Sequence, residues 1–302
     1  MVNINLNNKN VLVTGGNGYL GENLVNSLKE HGADVYILDQ KTNGVKNEFC
    51  IDITDKTAVE RVIKEIQPQL IFHLAALLNR NRDFSNHEKI MQVNYFGTVN
   101  LLLALKDIDY DNFVFTSTSE IYGSNKAPFN ENMLPLPASP YSMSKVFAET
   151  AIKTFSNTYN KSYTILRLFN FFGKNMPDEF FIPQLLNALK NDKCFKMTGG
   201  EQERDFLYIN DAIQAILLTV NNEKAKNEIF NVCSGKSTTL KDFASDCKKI
   251  MNSNCRIDFG ALKYRENEVW NMLGDNSKIK RELGFKVNFD VKEIITEIVK
   301  QI

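Results

Sequence analysis

Residues 11–21 read Val11-Leu12-Val13-Thr14-Gly15-Gly16-Asn17-Gly18-Tyr19-Leu20-Gly21, an apolar run followed by a glycine-spaced turn. Gly15 permits the tight turn, Gly18 lets the backbone come close to phosphate oxygens, and Gly21 lets the following helix pack on its strand. The phosphate charge would face the N-terminus of that helix. The pattern therefore predicts a dinucleotide pyrophosphate site between the first strand and the first helix.

A carboxylate follows at the distance that such a site requires. The second apolar run, Val35-Tyr36-Ile37-Leu38, ends in Asp39, about 20 residues beyond the turn. A carboxylate there accepts a hydrogen bond from a ribose hydroxyl and would repel a 2′-phosphate. We therefore expect NAD rather than NADP as the cofactor, although Lys41 adds a positive charge nearby.

Strands and helices alternate through the first half of the chain. Apolar runs typical of buried strands, such as Val11 to Thr14 and Phe113 to Thr116, are separated by helical patterns. This alternation predicts an α/β fold with a doubly wound parallel sheet, the Rossmann arrangement. We expect an NAD-binding domain over residues 1–170 and a smaller α/β substrate-binding part over residues 171–302, with Glu228 to Val232 returning to the sheet.

Charge and composition exclude several classes of partner. The 302 residues contain 36 Lys plus Arg and 36 Asp plus Glu, so no overall charge favours nucleic acid or an anionic membrane. The polar N-terminus does not resemble a signal peptide and no apolar run has the length of a membrane span, so we expect a cytoplasmic protein. Five scattered cysteines without a Cys-x-x-Cys pair, and three isolated histidines, predict no metal site.

A tyrosine and a lysine four residues apart suggest the chemistry. Tyr141 and Lys145 share one face of a helix, where the ammonium can lower the pKa of the phenol. Such a phenol can take a proton from a sugar hydroxyl while hydride leaves the same carbon for a nicotinamide. The pair alone also occurs by chance on helix surfaces. Its setting favours a site, because Thr118, Ser119 and Glu120 would emerge at the carboxyl end of the preceding strand.

Together these motifs resemble the extended short-chain dehydrogenase/reductase superfamily, in its branch of nucleotide-sugar epimerases, dehydratases and decarboxylases. The resemblance covers nearly the whole chain and implies an NAD-dependent enzyme with a nucleotide-sugar substrate. Its motifs are the glycine turn, Asp39, Asp52-Ile53, His73-Leu74-Ala75-Ala76, Asn94-Tyr95-Phe96-Gly97-Thr98, Thr116 to Gly123, Tyr141 with Lys145, Arg167-Leu168-Phe169-Asn170, Arg204-Asp205-Phe206 and Asp275 to Gly284.

The resemblance also implies which residues bind the cofactor and the substrate. Asp52 and Ile53 would lie beside the adenine, and Lys145 would hold the nicotinamide ribose. The residues expected to contact NAD are Gly15, Asn17, Gly18, Tyr19, Leu20, Gly21, Asp39, Asp52, Ile53, Leu74, Ala75, Ala76, Asn94, Tyr141 and Lys145. The residues expected to grip the substrate diphosphate are Asn170, Arg204 and Arg265. By sequence alone, Arg265 also fits a solvated charged loop.

Glu120 bears on which reaction follows. The resemblance implies that Thr118 hydrogen-bonds the reacting sugar hydroxyl, whereas a carboxylate at position 120 can remove the C5 proton made acidic by a C4 ketone. Ser119 could assist loss of the C6 hydroxyl. The run resembles 4,6-dehydratases and C4-oxidising decarboxylases, yet dehydratases often carry Asp at position 119 and some epimerases keep Glu at position 120. We expect oxidation at C4 of a nucleotide-linked sugar, by a 4-epimerase or a 4,6-dehydratase.

Three other functions remain open from the sequence. The keto sugar could be released, which would make the protein a C4 dehydrogenase. A decarboxylase would need a uronic acid substrate and a cation for its carboxylate, which the sequence does not identify. An inert cofactor-binding regulator is disfavoured by the intact Thr118, Tyr141 and Lys145.

Two helical segments predict the quaternary structure. The segments around Glu88 to Lys106 and Tyr141 to Tyr159 carry apolar faces that could belong to the core alone. Members of the resembled family often dimerise through this helix pair as a four-helix bundle. We therefore expect a homodimer. His73 is expected to be a hydrogen-bonded histidine at a strand end, without a role as a metal ligand.

Overall fold

The chain is built around a seven-stranded sheet in which each strand is parallel to its neighbours. The structure is a computed structural model and describes residues 4–78, 83–265 and 268–300. With strands numbered in chain order, the sheet contains β1 (Asn10–Thr14), β2 (Asp34–Asp39), β3 (Glu48–Cys50), β4 (Leu70–His73), β5 (Asn112–Thr118), β6 (Tyr163–Leu168) and β10 (Glu228–Val232). The strand order is β10-β6-β5-β4-β1-β2-β3, which confirms the predicted doubly wound α/β fold.

Helices cover both faces of this sheet, because successive residues of a strand point to opposite sides. Val11 and Val13 face one apolar cluster, whereas Leu12 faces another. The first face is covered by α1 (Tyr19–Glu30), α7 (Ile209–Leu217) and α9 (Ser277–Leu283). The second face is covered by α2 (Lys56–Ile66), α4 (Gly97–Ala104) and α5 (Pro140–Tyr159).

The helix before β5 differs from the predicted regular helix. A short α3 (His87–Met91) runs into α4 through a π-helical segment, Gln92–Phe96. A π-helical turn bonds residue i to residue i+5 and so changes which side chains point inward. Asn94 lies in this segment and is buried.

The N-terminus of α5 is fixed by its own sequence. The Ser139 hydroxyl accepts a hydrogen bond from the backbone nitrogen of Ser142, and the Ser142 hydroxyl in turn bonds the backbone nitrogen of Ser139. Pro140 occupies the first helical position, where its missing N–H costs nothing. These caps set the rotation of the first two turns, which carry Tyr141 and Lys145.

The second half of the chain adds a smaller layered part. A mixed sheet combines β7 (Asn170–Phe172), β9 (Glu203–Tyr208), β11 (Ser237–Thr239) and β13 (Asn271–Met272), and β8 (Phe195–Lys196) pairs with β12 (Ile257–Asp258). The helices of this part are α6 (Phe181–Lys190), α8 (Leu240–Ile250) and α10 (Val291–Val299). Because β10 pairs with β6, the return of Glu228 to Val232 to the large sheet is confirmed. The division at residue 170 remains a prediction.

The described residues contain neither a helix that could cross a membrane nor a group of side chains that could hold a metal ion. None of the helices within residues 4–78, 83–265 and 268–300 combines the length and the apolar character that a membrane crossing needs. Within the same ranges, no three His, Cys, Asp or Glu side chains are grouped so that they could hold a metal ion.

Candidate active site

Three glycines shape the turn between β1 and α1. Gly15 has a φ of +71°, and a Cβ there would lie 2.7 Å from the backbone nitrogen of Ala75. A Cβ on Gly21 would lie 2.2 Å from the carbonyl oxygen of Gly15. Gly18 is the N-cap of α1 and offers no side chain to cap its first turn. The helix N-terminus is therefore available to an anion that the backbone can approach closely.

The two residues that begin α1 are Tyr19 and Leu20, both predicted to contact the cofactor. The Tyr19 ring stacks on Phe171 with 6.1 Å between ring centroids. Its hydroxyl is buried without a hydrogen-bond partner, and burial raises the pKa of the phenol. Nothing in the sequence pattern predicts this unsatisfied hydroxyl.

Asp39 lies where the sequence places it, at the end of β2 beside the glycine turn. Its carboxylate accepts hydrogen bonds from the backbone nitrogens of Asn17 and Lys41, each at 3.1 Å. The Asn17 side chain donates to the Lys41 carbonyl oxygen at 2.8 Å. The carboxylate is thereby held against the turn that would cradle the pyrophosphate.

The second predicted acidic residue, Asp52, follows β3, whose Cys50 pairs with Asp39 at the end of β2. Gln40 donates to the Asp52 carboxylate at 2.8 Å, and Thr54 donates to it through both its backbone nitrogen and its hydroxyl. Ile53 is buried. The structure thus brings the residues predicted for the adenine side to one edge of the sheet.

Leu74, Ala75 and Ala76 follow β4 and run beside the turn. The Leu74 backbone nitrogen donates to the Thr14 carbonyl oxygen at 3.0 Å, and the Ala75 nitrogen donates to the Thr14 hydroxyl at 3.2 Å. Asn94 closes the other end of this segment, because its side chain bonds both the nitrogen and the carbonyl oxygen of Leu77.

Thr118, Ser119 and Glu120 lie at the carboxyl end of β5, as predicted. Thr118 ends the strand and Ser119 opens a short 3₁₀ helix, Ser119–Tyr122. The Thr118 hydroxyl accepts from the Glu120 backbone nitrogen at 3.2 Å. Thr118 and Ser119 are buried, and Glu120 is half-buried.

The predicted lowering of the Tyr141 pKa does not hold in this structure. Burial raises the pKa of the phenol, the neighbouring Glu120 carboxylate raises it further, and a hydrogen bond with Thr118 offsets part of the increase. Burial of the phenol is the largest cause of the increase, and the Lys145 ammonium lies 6.0 Å from the centroid of the Tyr141 ring. The Thr118–Glu120–Tyr141 cluster itself is assembled as the sequence implies.

Lys145 is almost completely enclosed. Its ammonium donates to the Thr116 carbonyl oxygen at 2.9 Å and lies 4.6 Å from the centroid of the Phe115 ring. Burial lowers the pKa of Lys145 to about 7, although the carboxylate of Glu149 opposes this change. The charge of this lysine is therefore sensitive to its surroundings near neutral pH.

Glu149, one helical turn beyond Lys145, belongs to a buried network that sequence reasoning missed. Its carboxylate accepts two hydrogen bonds from Arg167, at 2.8 and 3.1 Å, and one from Ser117 at 2.6 Å. Arg167 also donates to the Tyr122 hydroxyl at 3.0 Å. The motif that begins with Arg167 could have predicted a buried ion pair, because a buried guanidinium requires a carboxylate partner.

The residues predicted to hold a diphosphate are only partly available. The Asn170 side-chain nitrogen is buried without a hydrogen-bond partner, as expected of a donor awaiting a ligand. Arg204 forms an ion pair with Glu268 at 2.7 Å and donates to the Val269 carbonyl oxygen at 2.8 Å. Arg265 is exposed. The roles of all three remain predictions.

Residues 11–233 match the sequence profile of the NAD dependent epimerase/dehydratase family. The chain belongs to this family. A Methanocaldococcus jannaschii protein named "Putative UDP-glucose 4-epimerase" is 34% identical, with 96% of this chain and 97% of the relative covered. The UDP-glucose 4-epimerase of Thermotoga maritima, solved with UDP-glucose, has a TM-score of 0.89 at 27% identity, covering 96% of this chain and 97% of that one.

The name of a third similar protein contains a different reaction. The GDP-6-deoxy-D-talose 4-dehydrogenase of Aggregatibacter actinomycetemcomitans is 29% identical, with 96% of this chain and 97% of the relative covered. The resemblance inferred from the motifs is confirmed. The protein is an NAD-dependent enzyme of the nucleotide-sugar epimerase, dehydratase and decarboxylase group.

The residues of this chain fit NAD. Gly15 and Gly21 let the turn pack closely on neighbouring backbone, and Gly18 leaves the N-terminus of α1 without a side-chain cap, as a pyrophosphate site requires. A carboxylate at Asp39 suits a free ribose 2′-hydroxyl. Lys145 and Tyr141 lie on the helix that faces the same edge of the sheet.

Proposed function

We propose that this enzyme oxidises C4 of a nucleotide-linked sugar, as a 4-epimerase or a 4,6-dehydratase. The main support is the cluster at the carboxyl ends of the strands, where Thr118 and Glu120 lie beside the phenol of Tyr141. The enclosed Lys145 lies on the same helix as Tyr141. Active sites of doubly wound sheets lie at this edge. The cluster combines a phenol that can accept a proton, a hydroxyl that can hydrogen-bond the sugar, and one carboxylate.

Each side chain has a distinct role in this proposal. Tyr141 takes the proton of the C4 hydroxyl, Thr118 hydrogen-bonds that hydroxyl, and Lys145 supplies positive charge that favours the phenolate. When bound, oxidised NAD supplies a positively charged nicotinamide ring that accepts the hydride. Because burial lowers the pKa of Lys145 to about 7, its positive charge depends on the charges that surround it.

We place the sugar nucleotide against residues 171–302, with its diphosphate on Asn170, Arg204 and Arg265. The unsatisfied amide nitrogen of Asn170 supports this placement. Arg204 is held by Glu268 and by backbone carbonyl oxygens, which would fix its guanidinium before a ligand arrives. The Thermotoga maritima relative was solved with UDP-glucose, which supports a ligand of this class.

The experiment for this proposal identifies the product. Purified protein with NAD is incubated in heavy water with UDP-, GDP-, CDP- and dTDP-sugars, and products are analysed by mass spectrometry and NMR. A product inverted at C4 with unchanged mass establishes an epimerase, whereas loss of one water with deuterium uptake establishes a dehydratase. Loss of two hydrogens with accumulated NADH would establish a C4 dehydrogenase. Loss of carbon dioxide from a uronic acid would establish a decarboxylase. No conversion across the panel contradicts the proposal.

A Glu120→Gln variant separates the two leading reactions. If Glu120 removes the C5 proton, the variant loses elimination by about 10²-fold or more while it still reduces NAD on mixing with substrate. The measurements are the rate of water loss and the absorbance of NADH in a single turnover. Glu65→Gln, on the exposed side of α2, is the control. An unchanged rate of water loss excludes this role for Glu120.

We also propose that the protein is a homodimer that buries the outer faces of α4 and α5. Phe96, Leu103 and Phe147 lie on this surface with 42–47% of each side chain exposed. Leu103 and Phe147 line a groove of about 410 Å³ that runs between the helices, and Phe96 ends the π-helical segment that leads into α4. Two such faces from two copies would form a four-helix bundle.

A charged residue in this groove should dissociate the dimer. We expect Phe147→Glu to run as a monomer in light scattering, because an isologous interface would bury the added carboxylate twice. Leu134→Glu, at a leucine that is 80% exposed and does not line this groove, should leave the oligomeric state unchanged. A wild-type protein that is monomeric at micromolar concentration contradicts the proposal.

A further inference from the structure

A chain of five buried polar side chains connects the glycine turn to the helix of Tyr141. The residues in order are Thr14, His73, Thr98, Asn94 and Ser144, and each has at most 1% of its surface exposed. Successive distances are 2.6 Å from Thr14 to His73, 2.9 Å from His73 to Thr98, 2.6 Å from the Thr98 hydroxyl to the Asn94 carbonyl oxygen, and 2.9 Å from the Asn94 amide to Ser144.

The donors in this chain have a single consistent order. The Thr98 hydroxyl gives its hydrogen to the Asn94 carbonyl oxygen, so it can only accept from Nε2 of His73. Nε2 of His73 therefore carries the proton, and Nδ1 accepts from the Thr14 hydroxyl. Burial lowers the pKa of His73 to about 3, and the Lys145 charge lowers it as well, so the ring stays neutral.

Both ends of the chain contact segments that form the site. At one end, the Thr14 hydroxyl accepts from the Ala75 nitrogen, directly before the turn that begins with Gly15. At the other end, Asn94 holds Leu77 through both backbone groups, and the Ser144 hydroxyl donates to the Tyr141 carbonyl oxygen at 2.7 Å. His73 is the single ring among these five side chains, and its hydrogen bond to Thr98 links β4 to α4.

We propose that His73 is a positioning residue, whose neutral ring sets the distance between the cofactor-binding turn and the helix that carries Tyr141. This proposal rests on the proposed function in one respect, namely that Tyr141 is the base. Buried polar networks specify one arrangement when every donor and acceptor is satisfied. His73 satisfies this condition with one tautomer and two different partners.

Two substitutions test the two hydrogen bonds of the His73 ring separately. The amide in His73→Asn can take the position of Nδ1 and accept from Thr14 but is too short to reach Thr98, whereas the longer amide in His73→Gln can take the position of Nε2 and donate to Thr98 but does not meet Thr14. We expect His73→Asn to lower kcat about tenfold with little change in the Kd for NAD, because displacement of Asn94 and Ser144 misplaces Tyr141. We expect His73→Gln to weaken NAD binding about tenfold with a smaller change in kcat, because Thr14 and the turn are displaced.

A matched control removes two buried hydrogen bonds of one side chain near the amino-terminal end of β6, in the same sheet. Thr164 accepts from Asn112 at 2.8 Å and donates to the Ala225 carbonyl oxygen at 2.7 Å. Thr164→Val should lower Tm to a similar extent and leave both kcat and the Kd for NAD unchanged. If the His73 variants behave like Thr164→Val, the histidine is only structural and the proposal fails.

A further measurement needs neither a variant nor a substrate. ¹⁵N NMR of histidine-labelled protein should show the His73 ring as the Nε2–H tautomer, without titration from pH 5 to pH 8. An Nδ1–H tautomer, or titration in that range, overturns the proposal. NAD binding is measured by fluorescence without a sugar, so these two readouts test His73 even if every nucleotide sugar fails as a substrate.

Discussion

A Tyr141→Phe variant should lose about 10²- to 10⁴-fold in kcat for sugar oxidation while it keeps its affinity for NAD. The change removes the oxygen that we propose as the acceptor of the C4 hydroxyl proton, and it leaves the ring, the helix caps and Lys145 in place. The measurement is single-turnover reduction of NAD, with cofactor affinity determined separately by fluorescence. Tyr110→Phe, at another buried tyrosine that precedes β5, should retain full activity.

The pH dependence of the same step follows from the environment of the phenol. Burial and the Glu120 carboxylate raise the pKa of Tyr141, so the fraction of phenolate increases as the pH rises above neutrality. The rate of a reaction that needs the phenolate should therefore increase with pH in this range. Glu120→Gln removes one of the two causes of the raised Tyr141 pKa, so the increase in rate should occur at lower pH. A Tyr141→Phe variant with wild-type turnover would show that another group is the base.

The contrast between Tyr141 and its expected pKa shows what spacing alone can predict. Four residues of helix bring Tyr141 and Lys145 to one face, and the structure agrees. The sign of the pKa change depends on burial and on Glu120, which belongs to a different element. Spacing within one helix contains no information on either.

The fold was predictable where one segment determines its own conformation. The glycine turn and the apolar strands have local signatures, and the return of β10 follows from another apolar run. The π-helical turn at Asn94 has no such signature, because its extra residue depends on the contacts that Asn94 makes with Leu77 and Ser144. The pairing of Arg204 with Glu268 likewise joins residues 64 positions apart.

Alanine substitutions at Gly18 and Gly21 should differ in their effect on stability, and both should weaken NAD binding. A Cβ on Gly21 would lie 2.2 Å from the carbonyl oxygen of Gly15, so backbone must move. We expect Gly21→Ala to lower the free energy of unfolding by about 1–3 kcal/mol, even though alanine is the better helix former. Its affinity for NAD should fall because the turn itself is displaced.

Gly18 presents the other case. Its φ of −85° suits alanine, and a Cβ there would meet only the Gly15 carbonyl oxygen, at 3.4 Å. We expect Gly18→Ala to keep the free energy of unfolding within about 0.5 kcal/mol of wild type. NAD affinity should nevertheless fall at least tenfold, because the added methyl group occupies space that the pyrophosphate needs at the start of α1. Urea unfolding and NAD titration of both variants give the four values. If Gly18→Ala bound NAD with wild-type affinity, the pyrophosphate would not lie at this helix N-terminus. Equal destabilisation of both variants would mean that Gly18 is needed for packing rather than for binding.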